Sequence, residues 1–240
     1  MARGSSCFSS RCSSRSFSPS AGRLAAAVAV AALLWFFMFS PWTGNLLSFW
    51  LVMSISAVIL TTLALCGGAA SGSSGFKDAQ AGSDCKGCVC AKNVVLQIVV
   101  GVVIAFALWG VFWVGDKLSQ MMFSFARPQV DNVYGMKAGS SPVMIGLLLL
   151  FLIGPAEEFF WRGYVQRSAA RLWGDNTGFI VTAAVYALVH IWSFNFMLVM
   201  AALVAGGVWG LVYRLKPSLL PALIVSHAVW DALVFVVLPI

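Results

Sequence analysis

Apolar runs as long as a membrane-spanning helix recur along this 240-residue chain, and they constrain its fold more than any other feature. They fall at about 24–40, 45–66, 94–115, 142–160, 177–194, 196–213 and 219–238. Each is close to the roughly 20 residues that an α-helix needs to cross a bilayer. Turn chemistry separates them: "SPWTGN" after the first, "SFNF" between the fifth and sixth, and "RLKPSLLP" before the seventh, where Pro217 and Pro221 punctuate the helices. The chain is 60% hydrophobic and 10% charged, against about 25% charged in a soluble domain. The expected fold is all-α: a polytopic integral membrane bundle of about seven helices, with the lipid bilayer as its surroundings and a polar cavity among the C-terminal helices.

Three regions are expected. Residues 1–23, "MARGSSCFSSRCSSRSFSPSAGR", are Ser-rich, hold four Arg and no acid, and read as a disordered cytoplasmic tail, with a transit peptide as the alternative. Residues 24–140 carry the N-terminal helices and a Gly/Ser-rich cytoplasmic loop at 67–93. Residues 141–240 form a C-terminal core. That loop contains "CKGCVC", with Cys85, Cys88 and Cys90. In a reducing compartment such thiols read as free, and a zinc site would want a fourth ligand or a His pair that is not nearby.

The net charge of +7 is informative by position. No basic patch interleaved with aromatics is present, so nucleic acid is a poor partner. Basic residues in a membrane protein report orientation instead. With seven spans, one side of the membrane receives twelve Lys and Arg: Arg3, Arg11, Arg15, Arg23, Lys77, Lys86, Lys92, Arg162, Arg167, Arg171, Arg214 and Lys216. The other receives Lys117, Arg127 and Lys137. That tally makes the N-terminus of a multi-pass cell-membrane protein cytoplasmic. Residues 116–128, "DKLSQMMFSFARP", read either as a helix lying in the interface or as an extension of the third span.

Ionisable residues inside membrane spans are functional candidates by default. Here they gather in the last 90 residues: Glu157, Glu158, Arg162, His190, His227 and Asp231. The glutamates and histidines are the only ones in the chain. Glu158 and Arg162 are four apart and share a helix face, whereas Glu157 is turned about 100° away. One carboxylate can therefore be tied to Arg162 while the other points into a cavity. His227 and Asp231 share a face in the same way, as do Tyr186 and His190, whose ring an aromatic one turn earlier can hold. Counted at about 1.5 Å per residue from the basic side, Glu157, His190 and Asp231 all lie about 20 Å deep, and His227 about 13 Å.

"EEFFWR", "YALVH" and "HAVWD" resemble the three motifs of the CPBP family, the CAAX proteases and bacteriocin-processing enzymes also called the Abi family. The resemblance covers about 155 to 235. It implies an intramembrane glutamic endopeptidase with a cytosol-facing cavity, no metal and no cofactor. By that resemblance Glu157 activates a water, His190 holds or polarises it, and His227 with the residue at 231 stabilises the oxyanion. Glu158, Arg162 and Tyr186 support them. The substrate implied is a membrane or membrane-anchored peptide or protein. One departure matters: the third motif often ends in Asn, and this chain has Asp231, whose carboxylate cannot donate as an amide does. Orientation of His227 is the role expected for it. Three alternatives stay open: a polar network that only glues helices, a metal-dependent membrane protease, and a non-catalytic relative acting in bacteriocin immunity or as a scaffold.

Overall fold

A computed structural model describes residues 20–67 and 87–240, except 45 and 47, with the backbone alone over 87–92. The expected tail at 1–19, most of the Cys-containing loop, and the side chains of Cys7, Cys12, Cys85, Cys88 and Cys90 lie outside the described residues. Within them there are helices and no strand. Seven helices are long and apolar enough to cross a membrane. The protein is a multi-pass, all-α membrane protein.

The helices are α1 (Ala21–Phe39), α2 (Phe49–Cys66), α3 (Gly87–Met122), α4 (Ala126–Gly135), α5 (Pro142–Trp173), α6 (Asp175–Leu188), α7 (Phe196–Leu215) and α8 (Leu220–Ala232). All but α4 are spans. Ser20 caps α1 by accepting from the backbone N–H of Arg23, and Asn195 caps α7 by accepting from that of Leu198. Phe194, at φ 50°, makes the tight corner that leaves only two residues between the turn ending α6 and the start of α7. Over 116–128 the structure takes the extension: α3 runs on through Met122, and the short α4 begins at Ala126.

Consecutive spans alternate in direction, which gives the bundle two ends. The starts of α1 and α6 and the ends of α2, α5 and α7 meet at one, the basic end. The ends of α1, α3 and α8 and the starts of α2, α5 and α7 meet at the other, the far end, with α4 across it. Trp50 donates to the backbone oxygen of Met136, just after α4. Asn195 donates to the oxygen of Gln129, and Tyr134 Oη accepts from the N–H of Ile240. These bonds tie α4 and its following turn to α2, α7 and the chain end.

α5 is regular only in pieces. Wider π turns at Leu149–Ile153 and Trp161–Gln166 flank an α segment, Gly154–Phe160, which holds both glutamates. Such turns inside α-helices are frequent at functional sites. Opposite this segment α8 comes very close: a Cβ built on Gly154 would stand 2.7 Å from the Cα of Ala228. Only glycine fits there. The contact sets Glu158 beside His227, the residue before Ala228.

Arg162 is 1% exposed in the middle of α5. It therefore leaves the orientation tally; among the described residues, Arg23, Arg167, Arg171, Arg214 and Lys216 lie at the basic end, against Lys117, Arg127 and Lys137 at the far end.

Candidate active site

Five helices meet around the buried polar residues. Glu157, Glu158 and Arg162 come from α5, and Tyr186 from α6. His190 sits in a 3₁₀ turn, Val189–Ser193, that continues α6. His227 and Asp231 come from α8, Trp209 from α7 and Trp35 from α1. All are buried.

The two glutamates have different surroundings. Glu158 is 0% exposed, and its Oε1 accepts from Arg162 Nη1 at 2.8 Å and from His227 Nδ1 at 2.9 Å. The guanidinium donates again through Nη2 to the backbone oxygen of Gly206, at 2.9 Å. It lies 5.0 Å from the ring of Tyr186 and 5.5 Å from that of Trp209. Arg162 is thus fixed by a carboxylate, a carbonyl and two aromatic faces, while its Nε and Glu158 Oε2 are buried without a hydrogen-bond partner among the described residues. Glu157 has no such cage. Its Oε2 accepts from the Tyr186 hydroxyl at 3.0 Å, and its side chain lines a cavity of about 110 Å³. That volume is room for about four waters at liquid density, roughly 30 Å³ each.

Tyr186, His190, Trp209, His227 and Asp231 also line the cavity. Trp209 stacks on the His227 imidazole with centroids 4.0 Å apart, and its N–H donates to Ser226 Oγ at 3.1 Å. Nε2 of His227 lies 3.5 Å from Asp231 Oδ2. The ring is thus held at Nδ1 by Glu158, more closely than Asp231 approaches it. His190 is bonded at both nitrogens: Nδ1–H donates to the backbone oxygen of Tyr186 at 2.8 Å, and Nε2 accepts from the Trp35 indole at 3.0 Å. The polar residues named from the sequence therefore come together in one site. Trp35 and Trp209 were not visible in it. Both are tryptophans in apolar helices, and nothing local sets them apart from the other eight.

Among the described residues, no three His, Cys, Asp or Glu side chains are grouped so as to hold a metal ion. The rest of the cavity wall is apolar and extends to the far end. It includes Phe39, Phe49 and Trp50 near the α1–α2 turn, Met136 after α4, and Phe235 in the last turn of the α8 span. The basic end contributes no part of it.

Glu157, Glu158, Arg162, Tyr186, His190, Trp209, His227 and Asp231 all lie on the last four spans. Residues 139–233 match the family model described as type II CAAX prenyl endopeptidase Rce1-like, so this part of the chain is similar to that family of CAAX proteases. Comparison with curated proteins and with solved structures gives no match.

Proposed function

We propose that this chain is a glutamic intramembrane endopeptidase in which Glu157 activates a water and His227 answers the charge that develops on the scissile carbonyl. The observation that carries this reading is the division of labour between adjacent carboxylates. Glu158 is locked between Arg162 and His227, while Glu157 keeps one oxygen on Tyr186 and faces the cavity. A general base must reach the proton it removes, and only Glu157 of the pair does.

The steps follow from the same contacts. Glu157 takes a proton from a water in the cavity as the water oxygen attacks the peptide carbonyl. His227, with Nδ1–H engaged by Glu158, presents its Nε2 side to the cavity near Asp231. Because Nε2 faces a carboxyl oxygen, the approach is favourable only with a proton on one of the two. That proton can be offered to the oxyanion. Collapse of the tetrahedral intermediate breaks the C–N bond, and the proton taken by Glu157 goes to the leaving amine. His190, bonded at both nitrogens, holds its place in the wall rather than holding the water. In this reading the substrate is a peptide segment of a membrane or membrane-anchored protein, entering along the apolar wall. The excess of basic residues at the opposite end, five against three among the described residues, favours a cytoplasmic N-terminus and a cavity on the other face. A cytosol-facing cavity would require the inverted orientation.

The test is turnover. The purified full chain would be incubated with a panel of membrane-anchored peptides and the products identified by mass spectrometry. Cleavage by the wild type, its survival in strong chelator and its loss in Glu157→Gln are expected. Cleavage abolished by chelator would replace this reading with a metal-dependent one. Specific binding of a peptide without turnover would favour a non-catalytic relative.

A further inference from the structure

Trp35 lies on α1, outside residues 139–233, and is 1% exposed. Its indole nitrogen stands 3.0 Å from Nε2 of His190. An indole N–H can only donate, so Nε2 accepts and carries no proton. Nδ1 lies 2.8 Å from a backbone oxygen, which can only accept, so Nδ1 carries the proton. Together the two bonds define the neutral Nδ1–H tautomer and leave neither nitrogen open. The donor is itself wedged: Trp35 meets Trp161 edge-on at 6.2 Å and the His190 ring edge-on at 5.7 Å. Trp161 in turn meets Tyr186, the donor to Glu157, at 5.2 Å.

We propose that Trp35 is a positioning residue of the site, whose indole N–H fixes the tautomer and orientation of His190. The inference rests on the peptidase reading. With Nε2 covered, the ring offers the cavity neither a proton nor a lone pair, and Glu157 is the acceptor on that side of the site for a water. A ring free of Trp35 would expose Nε2 as a second acceptor beside Glu157, and water would divide between the two. The choice of the bonded nitrogen is how a histidine's tautomer is set. Because the donor sits on α1, the N-terminal half of the chain belongs to the site.

The experiment uses the full chain in nanodiscs with ¹⁵N-labelled histidine, and Trp35→Phe, which keeps an aromatic ring and deletes the donor. In the wild type, the His190 ring is expected to give one protonated and one hydrogen-bonded unprotonated nitrogen. In Trp35→Phe the Nε2 resonance moves to that of an unbonded nitrogen, or both nitrogens become exchange-averaged. With a cleaved peptide, kcat falls about tenfold, the loss expected of one neutral hydrogen bond, and KM stays unchanged. Where Trp35→Phe does not fold, the benzothienyl isostere of tryptophan, which has the bicyclic shape and no N–H, gives the same two readings. An unchanged Nε2 resonance overturns the proposal, and so does a changed resonance with unchanged kcat. A wild-type chain that shows this nitrogen pattern but cleaves no peptide sinks the peptidase reading and leaves Trp35 assigned to His190.

Discussion

Glu158 and His227 are joined across two helices by a 2.9 Å bond from Nδ1–H to Oε1, and the same oxygen also takes the bond from Arg162. The pairing separates the two glutamates experimentally. In Glu158→Gln a buried guanidinium loses its counter-charge, and breaking one side of a buried pair costs about 3–5 kcal/mol. The thermal midpoint of the purified protein should therefore fall clearly. Glu157→Gln removes no such partner, because the amide oxygen still accepts from Tyr186. Its midpoint should stay near wild type while turnover falls by about 10²–10⁴, the usual contribution of a general base. The reverse pattern, an unstable Glu157→Gln and an active Glu158→Gln, would exchange the two roles.

Tyr186→Phe isolates the hydroxyl that holds Glu157 at 3.0 Å. The ring and its contact with Trp161 remain, so folding should be little changed. A hydrogen bond to a charged group contributes about 1.5–3 kcal/mol, which corresponds to roughly a ten- to hundredfold fall in kcat if the bond holds the base in place. Steady-state kinetics should show that fall with KM unaltered. Wild-type kcat would mean that Glu157 is positioned by something else.

The spans were legible because hydrophobic length is a local property. Pro142, Phe196 and Pro217 fall within three residues of the expected starts of their spans. Glu158 and Arg162 were legible as a pair for the same reason, since a four-residue spacing needs no knowledge of other helices. His227 invited the same reasoning toward Asp231, yet the nearer carboxylate is Glu158, 69 residues away. That choice depends on how α8 is rotated against α5 at Gly154, which no local pattern records. The π turns on either side of Gly154–Phe160 change that rotation and carry no sequence signal of their own. The side of the bundle that the cavity reaches was equally hidden, because depth counted along one helix does not say toward which end the packing leaves space.

Gly154 is the contact on which that rotation depends. A methyl group there would press on the Cα and N of Ala228, at 2.7 Å and 2.9 Å, and backbone cannot swing aside as a side chain can. Gly154→Ala should push α8 from α5, lengthen the Glu158–His227 bond and cost about 1–3 kcal/mol, the range for overpacking. Gly207→Ala is the control, since nothing lies within 4 Å of its added methyl. Thermal unfolding and turnover measured together should show Gly154→Ala impaired in both and Gly207→Ala in neither. A stable, active Gly154→Ala would show that the interface can yield at little cost.

Orientation decides which peptides can reach the cavity. Its apolar wall reaches the far end, where Lys117, Arg127 and Lys137 are the described basic residues, while Arg23, Arg167, Arg171, Arg214 and Lys216 lie at the basic end. Positive charge in short loops marks the cytoplasmic side, so the cavity should open on the opposite face. Two exposed positions report this in a chain whose six cysteines have been replaced: Ala138→Cys at the far end and Ser218→Cys at the basic end. In sealed, right-side-out vesicles, a membrane-impermeant maleimide should label Ala138→Cys at once and Ser218→Cys only after detergent is added. Substrates would then be segments presented outside the cytoplasm. Labelling of Ser218→Cys alone would invert the chain, put the cavity on the cytoplasmic face and overrule the charge tally. Prenylated C-terminal peptides, which the CAAX resemblance implies, would become the first substrates to try. The two glutamates, Tyr186 and His227 would keep the same geometry either way, so the labelling tests how substrate approaches without disturbing the assignment of the base.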